Sequence, residues 1–350
     1  MLGVPLLRTT IGTFFAVLVS VSFTMPVFAQ SKKSASSLSD VRRNIDSPNG
    51  KAIYDEQMDG TTRQDGFGTI LPDGITAENV VQLLLPKANA SLATLVGMKR
   101  WPHGKDMYVA FVCIAPSQRT KDDAIKYNNG KPVCDLMMTG YRESGEYLMA
   151  VGMLQINTNR HLSLVSTSIS WLGIEGSPLG AKWSNSNLFG PVGINHWKDE
   201  ESEELKSELL FSSAIYRFDF AKYAITDNNI AFGIRSGMGE GYSGGGAEFQ
   251  ILTLFAVIDG ELRVIFSEPM YYFKDIAGNW NKNGTRKHEI FEGENTVSVS
   301  KTTTNGYFKL IVKSKKNSWH KSFVWNPNTR QYEAEAGKPL RSKGKMPSAK

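Results

Sequence analysis

The feature that most limits the fold of this chain is a series of short segments rich in β-branched and aromatic residues. Such side chains pack well on a pleated sheet and favour extended backbone. Between two of these segments, Asp259 and Gly260 predict a two-residue hairpin turn, because both residues tolerate positive φ angles. The predicted strands cover residues 107–114, 147–156, 162–171, 249–258, 261–266, 307–312 and 321–325, with a second hairpin at 325–332.

Helical patterns are few. Thr76 is a candidate N-cap for a helix that Pro86 would end, and acidic residues open a candidate surface helix at 198–211. A faint repeat relates residues 110–148 to residues 231–263, which suits either two related lobes or blades of a propeller. The fold is therefore predicted to be mainly β: either β-propeller-like or a two-lobed antiparallel β domain with a few short helices. The domain would span residues 63–336, with lobes at 63–197 and 212–336.

Residues 1–29 have the pattern of a secretory signal peptide. Arg8 precedes an apolar run that is too short to span a bilayer, and Val27 and Ala29 are the small residues expected before a cleavage site. An uncleaved membrane anchor is the alternative. We expect a periplasmic or secreted protein that is not membrane-spanning. Residues 30–62 and 337–350 are polar and charged, and predict a disordered leader and a basic disordered tail.

Two cysteines, Cys113 and Cys134, lie in apolar segments. An even number of cysteines in an exported chain predicts a disulfide bond, which would stabilise the fold by about 3 kcal/mol in the chain-entropy model. A redox-active pair is the alternative, although it normally requires closer spacing. The net charge of +6 is spread over a chain rich in both signs, which argues against a nucleic-acid binder and is compatible with an acidic partner.

A glycine-rich segment covers residues 237–246, and residues 241–245 match the G-x-S-x-G pattern of a nucleophile elbow. An elbow requires a helix after the serine, whereas the following residues predict a strand. The alternative is a flexible loop that forms a contact surface, since glycines permit unusual backbone angles. We predict no catalytic residue here, and the candidate binding residues are Arg235, Glu240, Tyr242 and Ser243.

An asparagine-rich segment covers residues 275–284. Asn279, Asn281 and Asn283 fall at the first, third and fifth positions of a calcium loop, and Gly284 falls at the sixth. The segment resembles the D-x-N-x-D-G loops of FG-GAP-type β-propeller repeats, which implies a calcium-binding blade. Neutral amides replace the usual carboxylates, so a plain Asn-Gly turn is the alternative, and no other cofactor is expected. The candidate metal ligands are Asp275, Asn279, Asn281 and Asn283.

The remaining patterns leave several functions open. Residues 217–325 are similar to segments of uncharacterised exported β-rich bacterial proteins, which implies export and β structure without an activity. Tryptophans at positions 171, 183, 197, 280, 319 and 325 could line a carbohydrate or partner surface, although core packing is more usual. The favoured function is an exported binding or inhibitory protein, such as an immunity protein against an envelope-targeting toxin, that contacts a protein or envelope component. An envelope hydrolase using Ser243 and an envelope structural or assembly factor are the alternatives.

Overall fold

The fold is mainly β, as predicted. The computed structural model describes residues 31–61, 64–134, 148–171, 180–182, 186–188, 209–212, 214–242 and 244–335. Strands account for 53% of the structure and helices for 16%, and the sheets are antiparallel. None of the helices in these ranges is long and apolar enough to cross a membrane.

The described residues form four α-helices, one short 3-10 helix and fifteen strands. The helices are α1 (Leu38–Asn44), α2 (Pro48–Asp59), α3 (Ala77–Leu84) and α4 (Gln118–Tyr127), and the 3-10 helix is Ala90–Leu92. The strands are β1 (Ser31–Ala35), β2 (Ala93–Arg100), β3 (Met107–Ile114), β4 (Leu148–Ile156), β5 (Leu162–Trp171), β6 (Gly180–Lys182), β7 (Leu209–Phe211), β8 (Ala214–Ala224), β9 (Ile230–Tyr242), β10 (Gly245–Ile258), β11 (Glu261–Trp280), β12 (Arg286–Thr304), β13 (Tyr307–Ser314), β14 (His320–Asn326) and β15 (Gln331–Ala334).

The largest sheet is an antiparallel meander in which β8 to β15 follow one another in chain order, and β1 joins it beside β12. Asp259 and Gly260 adopt φ angles of 53° and 84° in the β10–β11 turn, so the predicted hairpin is confirmed. Strand β12 changes partners along its length: its first half pairs with β11 and β1, and its second half pairs with β13. The large sheet therefore bends in the middle of β12.

A second, four-stranded sheet contains β2 to β5 in order. One of its faces packs on the large sheet around the Cys113–Cys134 disulfide, which confirms the predicted pairing. Helix α3 covers the other face, and it begins as predicted, with the Thr76 hydroxyl accepting a hydrogen bond from the backbone N–H of Asn79. A propeller would require separate blades around a channel. The two-lobed antiparallel alternative describes the fold, because eight consecutive strands form one continuous sheet.

The central strands β9 and β10 are covered on both faces. Phe232 and Phe255 face the four-stranded sheet, whereas Leu252 and Leu254 pack against residues of β13 and β14, at the other end of the large sheet. Burial on both faces explains why the second half of β10 is a nearly continuous apolar run rather than an alternating pattern.

The prediction of a disordered leader is wrong for the part of it that the structure describes. Residues 31–61, the N-terminal segment, form β1, α1 and α2, and pack on β11 and β12. Val41, Ile45 and Ile53 are buried against Tyr271 and Phe273. Most of the few apolar residues of this polar segment converge on one surface, which composition alone does not reveal.

Several other predictions fall on residues outside the described ranges. These include the signal peptide at 1–29, the tail at 337–350 and most of the helix proposed at 198–211. The last three residues of that proposed helix, Leu209–Phe211, instead form the short strand β7.

Candidate functional site

Two hairpins of the large sheet turn side by side at the same end of the sheet. In the β9–β10 hairpin, Tyr242 pairs with Gly245; in the β11–β12 hairpin, the backbone N–H of Asn281 donates to the carbonyl of Thr285 at 2.7 Å. A Cβ atom placed on Gly244 would lie 3.5 Å from Nη1 of Arg286. The described residues of these two neighbouring turns, 239–242, 244–245 and 277–287, form the hairpin end.

The hairpin end carries an exposed tryptophan held against an arginine. The Trp280 side chain is 71% exposed, and Cζ of Arg286 lies 5.5 Å from the centroid of its ring. The Nε atom of Arg286 donates a hydrogen bond of 2.8 Å to the carbonyl of Gly278. This contact fixes the guanidinium beside the ring, in a cation–π arrangement worth about 0.5–1 kcal/mol at an exposed site.

The β11–β12 turn of the hairpin end is basic. Residues 276–287 contain Lys282, Arg286 and Lys287 and no acidic residue, and both lysines are exposed. The nearest acidic residue after this stretch, Glu289, forms an ion pair with Lys32 at 2.6 Å. The β11–β12 turn therefore carries three positive charges, one of which, Arg286, lies against an aromatic ring, a combination suited to an acidic partner surface.

The predicted metal ligands do not all face one point. The side-chain N–H of Asn281 donates to the carbonyl of Ser36, and the side-chain oxygen of Asn283 accepts from both the N–H and the hydroxyl of Thr285. Asn279 is exposed near the end of β11. These contacts describe the Asn-Gly turn that was the alternative to a calcium loop.

Asp275 lies apart from that turn, in the interior beneath the N-terminal segment. Its Oδ1 atom is 2.9 Å from Nδ1 of His288, and both side chains are almost completely buried. Burial raises the pKa of Asp275 above its ordinary value. Among the residues that the structure describes, no group of three or more His, Cys, Asp or Glu side chains could hold a metal ion, so calcium binding stays a prediction.

The residues predicted for the glycine-rich segment are divided between two places. Glu240 and Tyr242 lie in β9 at the hairpin end, opposite Ala247 and Gly245, whereas Arg235 lies further down β9 opposite Leu252. The residues on both sides of the G-x-S-x-G serine form paired antiparallel strands, rather than the strand and helix of a nucleophile elbow. Ser243 itself is outside the described residues.

A buried polar cluster, the anchor cluster, holds the N-terminal segment on the sheet. It contains Glu292, Tyr271 and Ser47, and the buried Asp275–His288 pair lies on the same two strands. The carboxylate of Glu292 accepts hydrogen bonds of 3.1 Å from the backbone N–H groups of Asp46 and Ser47 and from the Tyr271 hydroxyl. Burial raises the pKa of Tyr271, which keeps its hydroxyl protonated as a donor.

Sequence patterns did not single out Trp280 from the other tryptophans, and they missed Arg286 and Glu292. The useful signal for Trp280 and Arg286 was their position beside an Asn-Gly turn, since turn residues are normally exposed. No protein-family model matches this sequence, and no curated protein or solved structure matches it either. The geometry of the chain itself is the basis for the function proposed below.

Proposed function

We propose that this protein is an exported binding protein that recognises an acidic partner protein through the hairpin end, as an inhibitory or immunity protein would. The single observation that carries the proposal is the exposed Trp280 side chain stacked on Arg286, whose guanidinium is tied to a backbone carbonyl.

Tryptophan and arginine are, with tyrosine, the residue types enriched among the hot spots of protein interfaces. An exposed tryptophan leaves a large apolar surface in water, and this surface is removed from water when a partner covers it. Because Arg286 is already held in place, little side-chain entropy remains to be lost when it binds. Trp280 and Arg286 together thus form a preorganised contact pair for a partner.

The residues around Trp280 and Arg286 favour an acidic partner. Exposed Lys282 and Lys287 add positive charge to the turn, which would accelerate association with a negatively charged surface. The contact between the side chain of Asn281 and the carbonyl of Ser36 joins the turn to the N-terminal segment. The hairpin that carries Trp280 and Arg286 is therefore held by a second part of the chain.

Export remains part of the proposal. Strand β1 begins at Ser31, so cleavage after Ala29 would leave the whole strand in the mature protein. Mass spectrometry of the protein recovered from cell fractions should find a periplasmic or secreted chain that starts at Gln30. An uncleaved chain found in the cytoplasm would contradict export.

The binding test compares Trp280→Ala and Arg286→Gln with the wild type. Partners captured from envelope extract would be ranked by quantitative mass spectrometry, and the affinity of the purified partner would then be measured at low and high salt. We expect each substitution to weaken binding by about 30-fold, the loss associated with a hot spot of about 2 kcal/mol. Wild-type binding should weaken as salt is raised, because charges at the rim are screened.

Matched controls separate this surface from general exposure. Tyr127, at the end of α4, is 67% exposed, and Arg263 lies on β11 beside Glu261. Tyr127→Ala and Arg263→Gln should retain wild-type binding. A partner that binds Trp280→Ala as tightly as it binds the wild type would show that the hairpin end is not the recognition surface.

A further inference from the structure

A second site is indicated by two arginines that occupy directly opposite positions on neighbouring strands. Arg217 on β8 is paired with Arg235 on β9. The Cβ atoms of such cross-strand pairs are about 4.5–5.5 Å apart, and like charges placed there destabilise a sheet unless they are compensated.

Among the described residues, negative charge only partly compensates the positive charges of Arg217 and Arg235. Asp219 binds Arg235, with Oδ2 2.8 Å from Nε, and its other oxygen accepts from the backbone N–H of Ala221 at 3.2 Å. The side chains of Asp219 and Arg235 are only 11% and 15% exposed, so this pair is a fixed, largely buried unit. One carboxylate therefore faces two guanidinium groups.

Arg217 is the exposed member of this group. It has no ion pair with any residue in the described part of the chain, and its contacts with the buried pair are electrostatic. Partial burial and the neighbouring charge of Arg235 both lower the pKa of Arg217, which is consistent with an excess of positive charge at this position.

A buried hydroxyl completes the arrangement. The side chain of Tyr223 is 5% exposed, and its hydroxyl interacts with both Asp219 and Arg235. Burial raises the pKa of Tyr223, so the hydroxyl stays protonated. The group thus has a buried interior and an exposed cation, Arg217, at the surface.

We propose that Arg217 and Arg235 bind an oxyanion group, a phosphate or a carboxylate, with Arg217 closing over it from the solvent side. The planar fork of a guanidinium matches the paired oxygens of these groups, and one such anion would neutralise the excess charge. Arg235 lies away from the hairpin end, opposite Leu252, so this site is separate from the surface of the proposed function.

The test is isothermal titration calorimetry of the full mature chain with inorganic phosphate and, separately, with acetate, in low-salt chloride buffer. Arg217→Gln should weaken anion binding by at least about tenfold, a loss of about 1.4 kcal/mol. Arg217→Lys, which keeps the charge but loses the fork, should fall between Arg217→Gln and the wild type. Binding of phosphate alone would assign the site to phosphate groups, and binding of acetate alone would assign it to carboxylates.

The controls make the result specific. Arg263→Gln, at an exposed arginine that pairs with Glu261, should bind anions like the wild type, and so should Trp280→Ala, so this test can fail independently of the proposed function. Without added anion, Arg217→Gln should be at least as thermally stable as the wild type, because a like-charge contact has been removed. Phosphate or acetate should raise the Tm of the wild type but not that of Arg217→Gln.

Three outcomes would overturn the proposal. One is the absence of binding of either anion to the wild type. Another is equal binding to the wild type and Arg217→Gln. The third is a lower anion-free Tm for both Arg217→Gln and Arg217→Lys than for the wild type, which would show that Arg217 has a structural partner instead of a ligand.

Discussion

The β11–β12 hairpin contains two groups of polar residues that differ mainly in burial. Beneath the N-terminal segment, Glu292 of the anchor cluster and the nearby Asp275–His288 pair are buried and hydrogen-bonded. At the hairpin end of the same strands, Trp280 and Lys282 are exposed to solvent. Polar groups that are buried and bonded specify the fold, whereas exposed ones are available to a partner.

This difference predicts separate consequences for stability and binding. Removing one member of a buried polar group leaves its partners without hydrogen bonds in a medium that cannot replace them. Removing an exposed side chain leaves groups that water can solvate. Substitutions in the anchor cluster should therefore unfold the protein without acting on a partner directly, and substitutions at the hairpin end should do the reverse.

The largest expected effect is that of Glu292→Ala. It removes the acceptor for the N–H groups of Asp46 and Ser47 and for the Tyr271 hydroxyl. We expect a loss of about 3–5 kcal/mol in the free energy of unfolding, the usual cost of breaking a buried charged contact. Urea denaturation followed by tryptophan fluorescence would measure it.

Glu289→Ala is the matched control for this prediction. Glu289 is on the same strand, and its ion pair with Lys32 is exposed, so its loss should cost less than about 1 kcal/mol. Similar losses for Glu289→Ala and Glu292→Ala would remove the proposed distinction between buried and exposed polar groups.

An effect of intermediate size on stability is expected from Glu268 on β11. Its Oε1 atom lies 3.7 Å from Nζ of Lys321. Burial raises the pKa of Glu268 from 4.5 to about 7, even though Lys321 acts in the opposite direction. A raised carboxyl pKa means that the folded protein holds this proton more tightly than the unfolded chain. Stability should therefore fall as pH rises from the unfolded pKa to the folded one, by up to about 3 kcal/mol in total.

Glu268→Gln tests this pH dependence. Relative to the wild type, the variant should gain about 3 kcal/mol between pH 4.5 and pH 7.5, because the amide has no proton to lose. Glu261→Gln, at an exposed acid on the same strand, is the control for the loss of one negative charge. Parallel profiles for Glu268→Gln and the wild type would show that burial does not perturb this carboxyl group.

The smallest expected effect on stability is that of Trp280→Ala. The free energy of unfolding should change by less than about 1 kcal/mol, since only the exposed contact with Arg286 is lost. Trp325, which is 4% exposed in the core between β11 and β14, gives the comparison: Trp325→Ala should cost about 3–5 kcal/mol. A loss of that size for Trp280→Ala would mean that the exposed ring supports the fold instead of serving a partner.

Local chemistry made much of the β structure predictable. The predicted strands 107–114 and 162–171 match β3 and β5, and the turns at Asp259-Gly260 and at 325–332 join strands as expected. Each of these features depends on neighbours in the chain, on side-chain shape or on the backbone angles that Asp, Asn and Gly tolerate. The cap of α3 at Thr76 is predictable for the same reason.

The candidate sites were harder to predict because they join residues that are distant in the sequence. Arg217 and Arg235 become neighbours only through the register of β8 on β9, and a bulge beside Arg217 shifts that register. The hairpin end likewise depends on two turns meeting across a sheet. Sequence patterns identified both turns, but they could not place them side by side.

By itself, the sequence determined the β-rich character of this protein, its main hairpins and the pairing of its two cysteines, because side-chain shape, turn chemistry and cysteine number act locally or admit one solution. Only the tertiary structure decided that residues 31–61 are ordered, since the surface that buries Ile53 comes from strands more than 200 positions away. It also decided which charges are compensated. Burial and cross-strand register are properties of the whole chain. They explain why polar residues of the anchor cluster are buried and hydrogen-bonded, whereas those of the hairpin end are exposed.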